Sequence, residues 1–216
     1  WTFGVSYTPD INNSGTISKN HTLTNVVQPK IGKDLVAYKD IFEVAANYTF
    51  DAYGIKNELA ATTQIGSSKR VNDGDPRENL RAYELGFVSK YDKYSVAASY
   101  GDWGDSGTSK VKMAGSKYDA YYYTLGAAYN DTKFGASVTY LNSKRAGGSR
   151  VFASKSGVDT EVINESCYNK LQAVSVATDY KIAEGLKSYI EYTNFNYDRH
   201  DTTVDNKAGV YIFGVK

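Results

Sequence analysis

The sequence predicts an all-β fold, an antiparallel up-and-down β-barrel that crosses a membrane with its strands, and three observations predict it. Extended stretches alternate residue by residue between an aromatic or aliphatic set and a small or polar set, as strand side chains alternate between two faces. The 216 residues include 20 tyrosines against one methionine and three prolines, and tyrosine favours both strands and membrane–water boundaries. Short turns alternate with loops several times longer, the arrangement of a barrel with a turn side and a loop side.

Trp1 to Thr8 sets Phe3, Val5 and Tyr7 against Gly4, Ser6 and Thr8, and Pro9-Asp10 stops the pattern. Residues 10–40 read as a long polar loop, rich in Asn, Ser, Thr and Gly, with Leu35, Val36 and Ile41 making its end mildly amphipathic. The first full hairpin sets Phe42, Val44, Ala46, Tyr48 and Phe50 against Glu43, Ala45, Asn47 and Thr49. It turns at 51–54 and returns with Ile55, Leu59, Ala61 and Ile65 against Lys56, Glu58, Ala60, Thr62 and Gln64. Residues 67–79, SSKRVNDGDPREN, read as a charged loop.

The next hairpin sets Tyr83, Leu85, Phe87 and Tyr91 against Glu84, Gly86 and Lys90, turns near Asp92, and returns with Tyr94, Val96, Ala98 and Tyr100. After a Gly/Ser/Lys loop at 102–117 comes the clearest stretch of the chain, YDAYYYTLGAAYNDTKFGASVTYLNS, from Tyr118 to Ser143. Tyr121, Tyr123, Leu125, Ala127 and Tyr129 fall on one face, and Tyr122, Thr124, Gly126 and Ala128 on the other. After Asn130 and Asp131, Phe134, Ala136, Val138 and Tyr140 alternate with Gly135, Ser137 and Thr139. Eight residues of such a strand span ~27 Å, or ~20 Å along the normal at a tilt of ~40–45°. That is near the apolar height of a membrane barrel, and the aromatics stand at both ends of it.

Residues 144–169 read as another long loop. Beyond it Val174, Val176, Thr178, Tyr180 and Ile182 oppose Ser175, Ala177, Asp179 and Lys181, with a turn at Ala183-Glu184-Gly185. Leu186, Ile190 and Tyr192 then oppose Lys187, Glu191 and Thr193. A loop at 198–206 precedes a last strand, where Tyr211, Phe213 and Val215 are assigned to the aromatic face and Val210 and Ile212 to the other. This makes about ten strands in one domain over 1–216, with no helix of any length.

Composition narrows the function classes. The formal net charge is +1, from 25 Lys+Arg and 24 Asp+Glu, with no basic block and no aromatic platform set in one, so nucleic acid is not an expected partner. The single cysteine, Cys167, excludes an internal disulfide and any metal site built on paired cysteines. Mean hydropathy is −0.48 and no run approaches the ~18–20 apolar residues of a membrane helix. A barrel needs no such run, because only alternate strand residues meet lipid. A Tyr-rich soluble sandwich that binds carbohydrate is the competing all-β reading, as is a barrel serving adhesion or assembly through its loops.

Two end segments carry a family resemblance. FGVSYTPD, Phe3 to Asp10, resembles a mid-barrel strand and its loop in Gram-negative general porins of the alphaproteobacterial type. GLKSYIEYTNFNYD, Gly185 to Asp198, followed by NKAGVYIFGVK, resembles their last two strands. The resemblance extends over essentially the whole chain and rests on degenerate strand patterns. It implies a homotrimer of water-filled channels in the outer membrane of a Gram-negative bacterium, passing small hydrophilic solutes and needing no cofactor. Such barrels have ~16 strands and end on an aromatic residue. The chain opens inside a strand pattern without Met and stops at Lys216, so it is expected to lack N-terminal strands, the constriction loop and a few last residues.

A channel of this kind works through the field of its lumen wall. By the alternation, Glu43, Lys56, Glu58, Glu84, Lys90, Asp179, Lys181, Lys187 and Glu191 point to the wet face and are the expected pore-lining charges. Both signs occur in similar numbers, so this part of the wall is expected to favour neither ion strongly. A hydrolase at the rim would need a general base, and only His21 and His200 qualify. His200 lies between Asp198 and Asp201 in YDRHD, but nothing identifies a nucleophile facing it. No catalytic residue is assigned. The acidic run NDGDPRE, Asn72 to Glu78, lacks the spacing of a calcium loop, and Cys167 has no neighbouring base or cation cluster to activate it.

Overall fold

The computed structural model describes residues 1–10, 37–69, 78–108, 110, 118–146, 149–155, 158–164, 168–198 and 206–215. His21, Cys167, His200 and all of the acidic run but Glu78 lie outside them. Ten strands form one antiparallel sheet in the order β1 (Thr2–Asp10), β2 (Ala37–Ala52), β3 (Ile55–Lys69), β4 (Leu80–Tyr91), β5 (Tyr94–Gly104), β6 (Ala120–Asn130), β7 (Phe134–Ala146), β10 (Tyr168–Ala183), β11 (Leu186–Asp198) and β12 (Asn206–Val215). The sheet is open, with β1 and β12 at its edges.

Between β7 and β10 a separate hairpin pairs β8 (Ser149–Lys155) with β9 (Val158–Asn164). The segment 144–169 is therefore not a plain loop. Its polar composition conceals the hairpin, because the alternation there is not between apolar and polar residues. Strands also run further than the alternation predicts: β2 begins at Ala37 and β3 continues to Lys69. A bulge between Lys39 and Phe42, with Asp40 at φ 51°, lets the ladder continue past the break in pattern.

Local chemistry sets the turn end. Tyr53 and Gly54 have φ of 54° and 77°, the doubly left-handed form that matches the twist of a two-residue hairpin. Four short connections, at 53–54, 92–93, 131–133 and 184–185, all fall at one end of the sheet, and the longer connections fall at the other.

The register shows what each face is made of. On one face a row runs Tyr48, Leu59, Phe87, Ala98, Leu125, Tyr140, Val174, and the next runs Phe50, Asn57, Ser89, Val96, Ala127, Val138, Val176, Tyr192, Tyr211. Tyr211, Phe213 and Val215 share this face, because Tyr211 stands opposite Tyr192 and Phe213 opposite Ile190. The other face carries Glu58, Val88, Ala97, Gly126, Thr139, Ser175 and Thr193 in one row.

Among the described residues no side chain is fully buried, and the buried apolar ones are Ile41, Leu80 and Leu171. Phe213 is 76% exposed, Phe3 69% and Tyr211 65%. A sandwich would bury such a face against a second sheet. Here it has no protein partner among the described residues, and an exposed apolar face of this extent marks an interaction surface, with a membrane or with another protein.

Candidate functional site

The aromatic face carries its own depth marks. Along the register Tyr83 is level with Lys144, three strands away, yet the tyrosine on that strand is Tyr140, four residues nearer the turns. Tyr140 is level with Asn194, two strands further, and the tyrosine there is Tyr192, two residues nearer the turns. The upper line of rings thus descends about one residue per strand. With ~3.3 Å per residue and ~4.8 Å between strands, a line of constant depth with that slope requires strands tilted by about 35–40°.

A second line runs through Trp1, Phe50, Tyr91, Tyr94, Tyr129, Phe134 and Tyr180 near the turns. Tyr83 and Tyr91 are eight residues apart on β4, ~26 Å along the strand and ~20 Å along the normal. Ring contacts join neighbours within each line: Tyr83 to Tyr100 at 6.1 Å, Tyr123 to Tyr140 at 5.9 Å, Tyr192 to Tyr211 at 4.5 Å, and below them Tyr94 to Tyr129 at 5.2 Å. Two parallel belts of aromatics bound an apolar band, the pattern of a sheet that spans a bilayer.

On the opposite face stand all nine charges expected there. Glu43 is level with Ser6 and Gln64, Lys56 with Lys90, Glu58 with Thr49, Glu84 with Gly101, Asp179 with Gly135, Lys181 with Lys187, and Glu191 with Ala177. They form two groups, one on β2–β4 and one on β10–β11. Between them β5, β6 and β7 present the small uncharged side chains Ser95, Ala97, Ser99, Gly101, Thr124, Gly126, Ala128, Ser137 and Thr139, with Tyr122 and Arg145 on the same face nearer the loops.

Most of the charges are held. Asn47 Nδ2 donates to Glu58 Oε1, Ser6 Oγ donates to Glu43 at 3.4 Å, and Thr193 Oγ1 donates to Glu191 at 3.2 Å. The Lys187 ammonium lies 3.4 Å from Asp179, and that of Lys181 lies 2.6 Å from Glu184 in the turn. Lys56 and Lys90 face each other with no ion pair to a described residue.

Sequence reasoning missed one feature of this face. The Tyr122 hydroxyl donates to Glu84, and its ring lies 5.3 Å from that of Trp103. Tyr122 already falls on the small-residue face by alternation, but its support is Gly101 on the next strand, which only the register reveals.

At the turn end, outside the band, Lys93 and Asp131 form an ion pair of 3.1 Å that ties the 92–93 turn to the 131–133 turn. The backbone N–H of Thr132, and then the Lys93 ammonium, hold the Asp131 carboxyl below the usual carboxylate range. The Asp131 carboxylate correspondingly raises Lys93. Among the described residues no group of His, Cys, Asp and Glu could hold a metal ion.

Comparison with known proteins supplies the rest. A family model described as Gram-negative porin matches residues 1–200. Uncharacterized proteins of Rickettsia conorii, Rickettsia bellii and Rickettsia prowazekii are 28%, 27% and 34% identical over 89% of this chain and 46%, 46% and 47% of their own lengths. The chain therefore spans about half the length of the curated relatives it matches. No solved structure matches it.

Proposed function

The chain belongs to the Gram-negative porin family, and on that premise we propose that it is part of an outer-membrane channel through which small hydrophilic solutes and ions diffuse passively, in a homotrimer and without a catalytic step. The observation that carries this reading is the division of one continuous sheet into a banded aromatic face and a face of small and charged residues. The first suits lipid and the second suits water. A lipid-facing charge at the midplane costs ~2–4 kcal/mol, and Glu43, Lys56, Glu58, Glu84, Lys90, Asp179, Lys181, Lys187 and Glu191 lie on the other side.

The finer proposal concerns the lumen. Glu43, Lys56, Glu58, Glu84, Lys90, Asp179, Lys181, Lys187 and Glu191 line it. Two of the lysines are neutralised by ion pairs, with Asp179 and with Glu184. Four carboxylates (Glu43, Glu58, Glu84 and Glu191) then face two ammoniums (Lys56 and Lys90) that have no ion pair among the described residues, which gives this part of the wall a modest bias toward cations. The test is single-channel recording of the complete protein in planar bilayers under a salt gradient. Stepwise ohmic conductance supports the channel, and a bilayer that stays silent with correctly folded protein removes it.

A further inference from the structure

Tyr122 is a large ring set beside small side chains, and it does not stand away from the wall. It lies across Gly101 on the next strand, where its ring carbons take the space that a side chain would occupy. One face of the ring is therefore turned to the strand and the other to the water side. Trp103 extends this platform, its ring centre 5.3 Å from that of Tyr122 and its plane tilted by 36°. Glu84 shares a row with Gly101 and Tyr122, and its carboxylate accepts from the Tyr122 hydroxyl at the platform's edge.

The platform is held in place. The Ser106 N–H donates to the Trp103 carbonyl at 3.0 Å, and the Arg81 N–H donates to Ser106 Oγ at 2.9 Å, which ties the end of β5 back to β4. Glu84 is exposed and both rings are half-buried, so a solute moving along the wall reaches all three.

The charges near it have one sign. Glu43 lies one row nearer the loops on β2, and Glu58 lies below on β3. The positive groups of this face are distant. Lys90 is six residues from Glu84 on β4, ~20 Å, and Lys56 is level with Lys90. Arg145 is three strands away on β7, ~14 Å, against a screening length of ~8 Å in physiological salt. Arg81 is opposite Ile65, on the other face. An aromatic face carries negative potential, the same sign as the carboxylate beside it.

We propose that Glu84, Tyr122 and Trp103 form a binding site for organic cations, solutes that carry a guanidinium or ammonium group on an apolar stem. Ring faces and carboxylate together attract a cation and repel an anion. An alkali ion keeps its water shell, whereas a guanidinium is weakly hydrated, stacks on an aromatic face and forks onto a carboxylate. A neutral sugar meets the rings but gains nothing from the shared sign of rings and carboxylate. The inference rests on the channel reading of this face and names the solute class that its wall retains.

The test uses the complete protein folded in a neutral detergent, with butylguanidinium as the probe and butylurea as its uncharged isostere. Binding is read by ligand-observed NMR at low salt. Butylguanidinium should bind about tenfold more tightly than butylurea or maltose. Glu84→Gln keeps the volume and an acceptor for Tyr122, and should weaken the cation about tenfold. Trp103→Leu should weaken it about threefold to tenfold, while Trp103→Phe, which keeps a ring, should retain binding. Should the leucine variant not fold, Glu84→Gln decides alone. Asp119→Asn makes the same charge change where Asp119 accepts from Tyr168, on the other face, and should leave the affinity unchanged. Equal affinity for butylguanidinium and butylurea, maltose bound in preference, or undiminished binding by folded Glu84→Gln or Trp103→Leu protein would overturn the proposal. Binding in detergent needs no conduction. A silent bilayer therefore counts against the channel reading, and a conducting channel without this binding counts against the inference.

Discussion

Tyr122 covers Gly101. The two stand directly opposite each other on β6 and β5, and a Cβ placed on the glycine would fall 2.2 Å from the tyrosine ring. The absence of a side chain lets the ring lie across the neighbouring strand, meet Trp103 and send its hydroxyl to Glu84. A strand glycine is weak by itself, and an aromatic ring lying over it restores the packing.

Gly101→Val should therefore lift Tyr122 off the wall. The expected cost is about 1–3 kcal/mol, the usual range for overpacking, measured by denaturant unfolding of the complete protein in micelles. A variant as stable as the parent would mean that the ring is not seated there.

Adjacent substitutions on β7 should behave as opposites. Val138 and Thr139 point to different faces. Val138→Lys is expected to cost about 2–4 kcal/mol, the penalty of a charge near the bilayer midplane, while Thr139→Lys should fold normally and alter conductance. The ratio of folded to unfolded protein on gels run without heating reads both.

Glu58→Lys and Glu191→Lys reverse carboxylates on well-separated strands of the charged face. Each should move the reversal potential in a salt gradient toward anion preference. An unchanged potential for both would place these groups away from the ion path.

The Lys93–Asp131 pair gives stability a defined pH dependence. The Asp131 pKa is lowered on folding, so its contribution is present above the ordinary carboxylate value of ~3.9 and is lost as pH falls through the lower folded value. The Lys93 pKa is raised on folding, so its contribution is present below ~10.4 and is lost as pH rises through the higher folded value. Asp131→Asn should flatten the acid limb of unfolding against pH, and Lys93→Met the alkaline limb. Both effects should shrink with added salt, since the pair is solvated.

Much of this architecture is legible in the residues because a strand's period is two. In the stretch 121–140, large apolar or aromatic residues alternate with mostly small ones, and the structure keeps every one of those face assignments. What fails to show is whatever depends on a neighbour far away in sequence. Asp40 allows a bulge that extends β2 past its pattern. The hairpin β8–β9 hides in a segment whose alternation is not apolar against polar. Gly101 beneath Tyr122 is a fact of register, which no single strand reveals. The descent of the tyrosine line across the sheet needs the same information, and it alone converts a list of aromatic residues into a depth.

The central claim is that lipid meets one face and water the other. The most direct measurement places a fluorescent probe on single cysteines at Ala136, Ser137, Val138 and Thr139, in a complete protein whose Cys167 is replaced by Ser, reconstituted in vesicles. Probes at 136 and 138 should be quenched by brominated acyl chains and shielded from iodide, and probes at 137 and 139 should show the reverse. Four probes quenched alike by iodide, with no response to brominated lipid, would contradict the account.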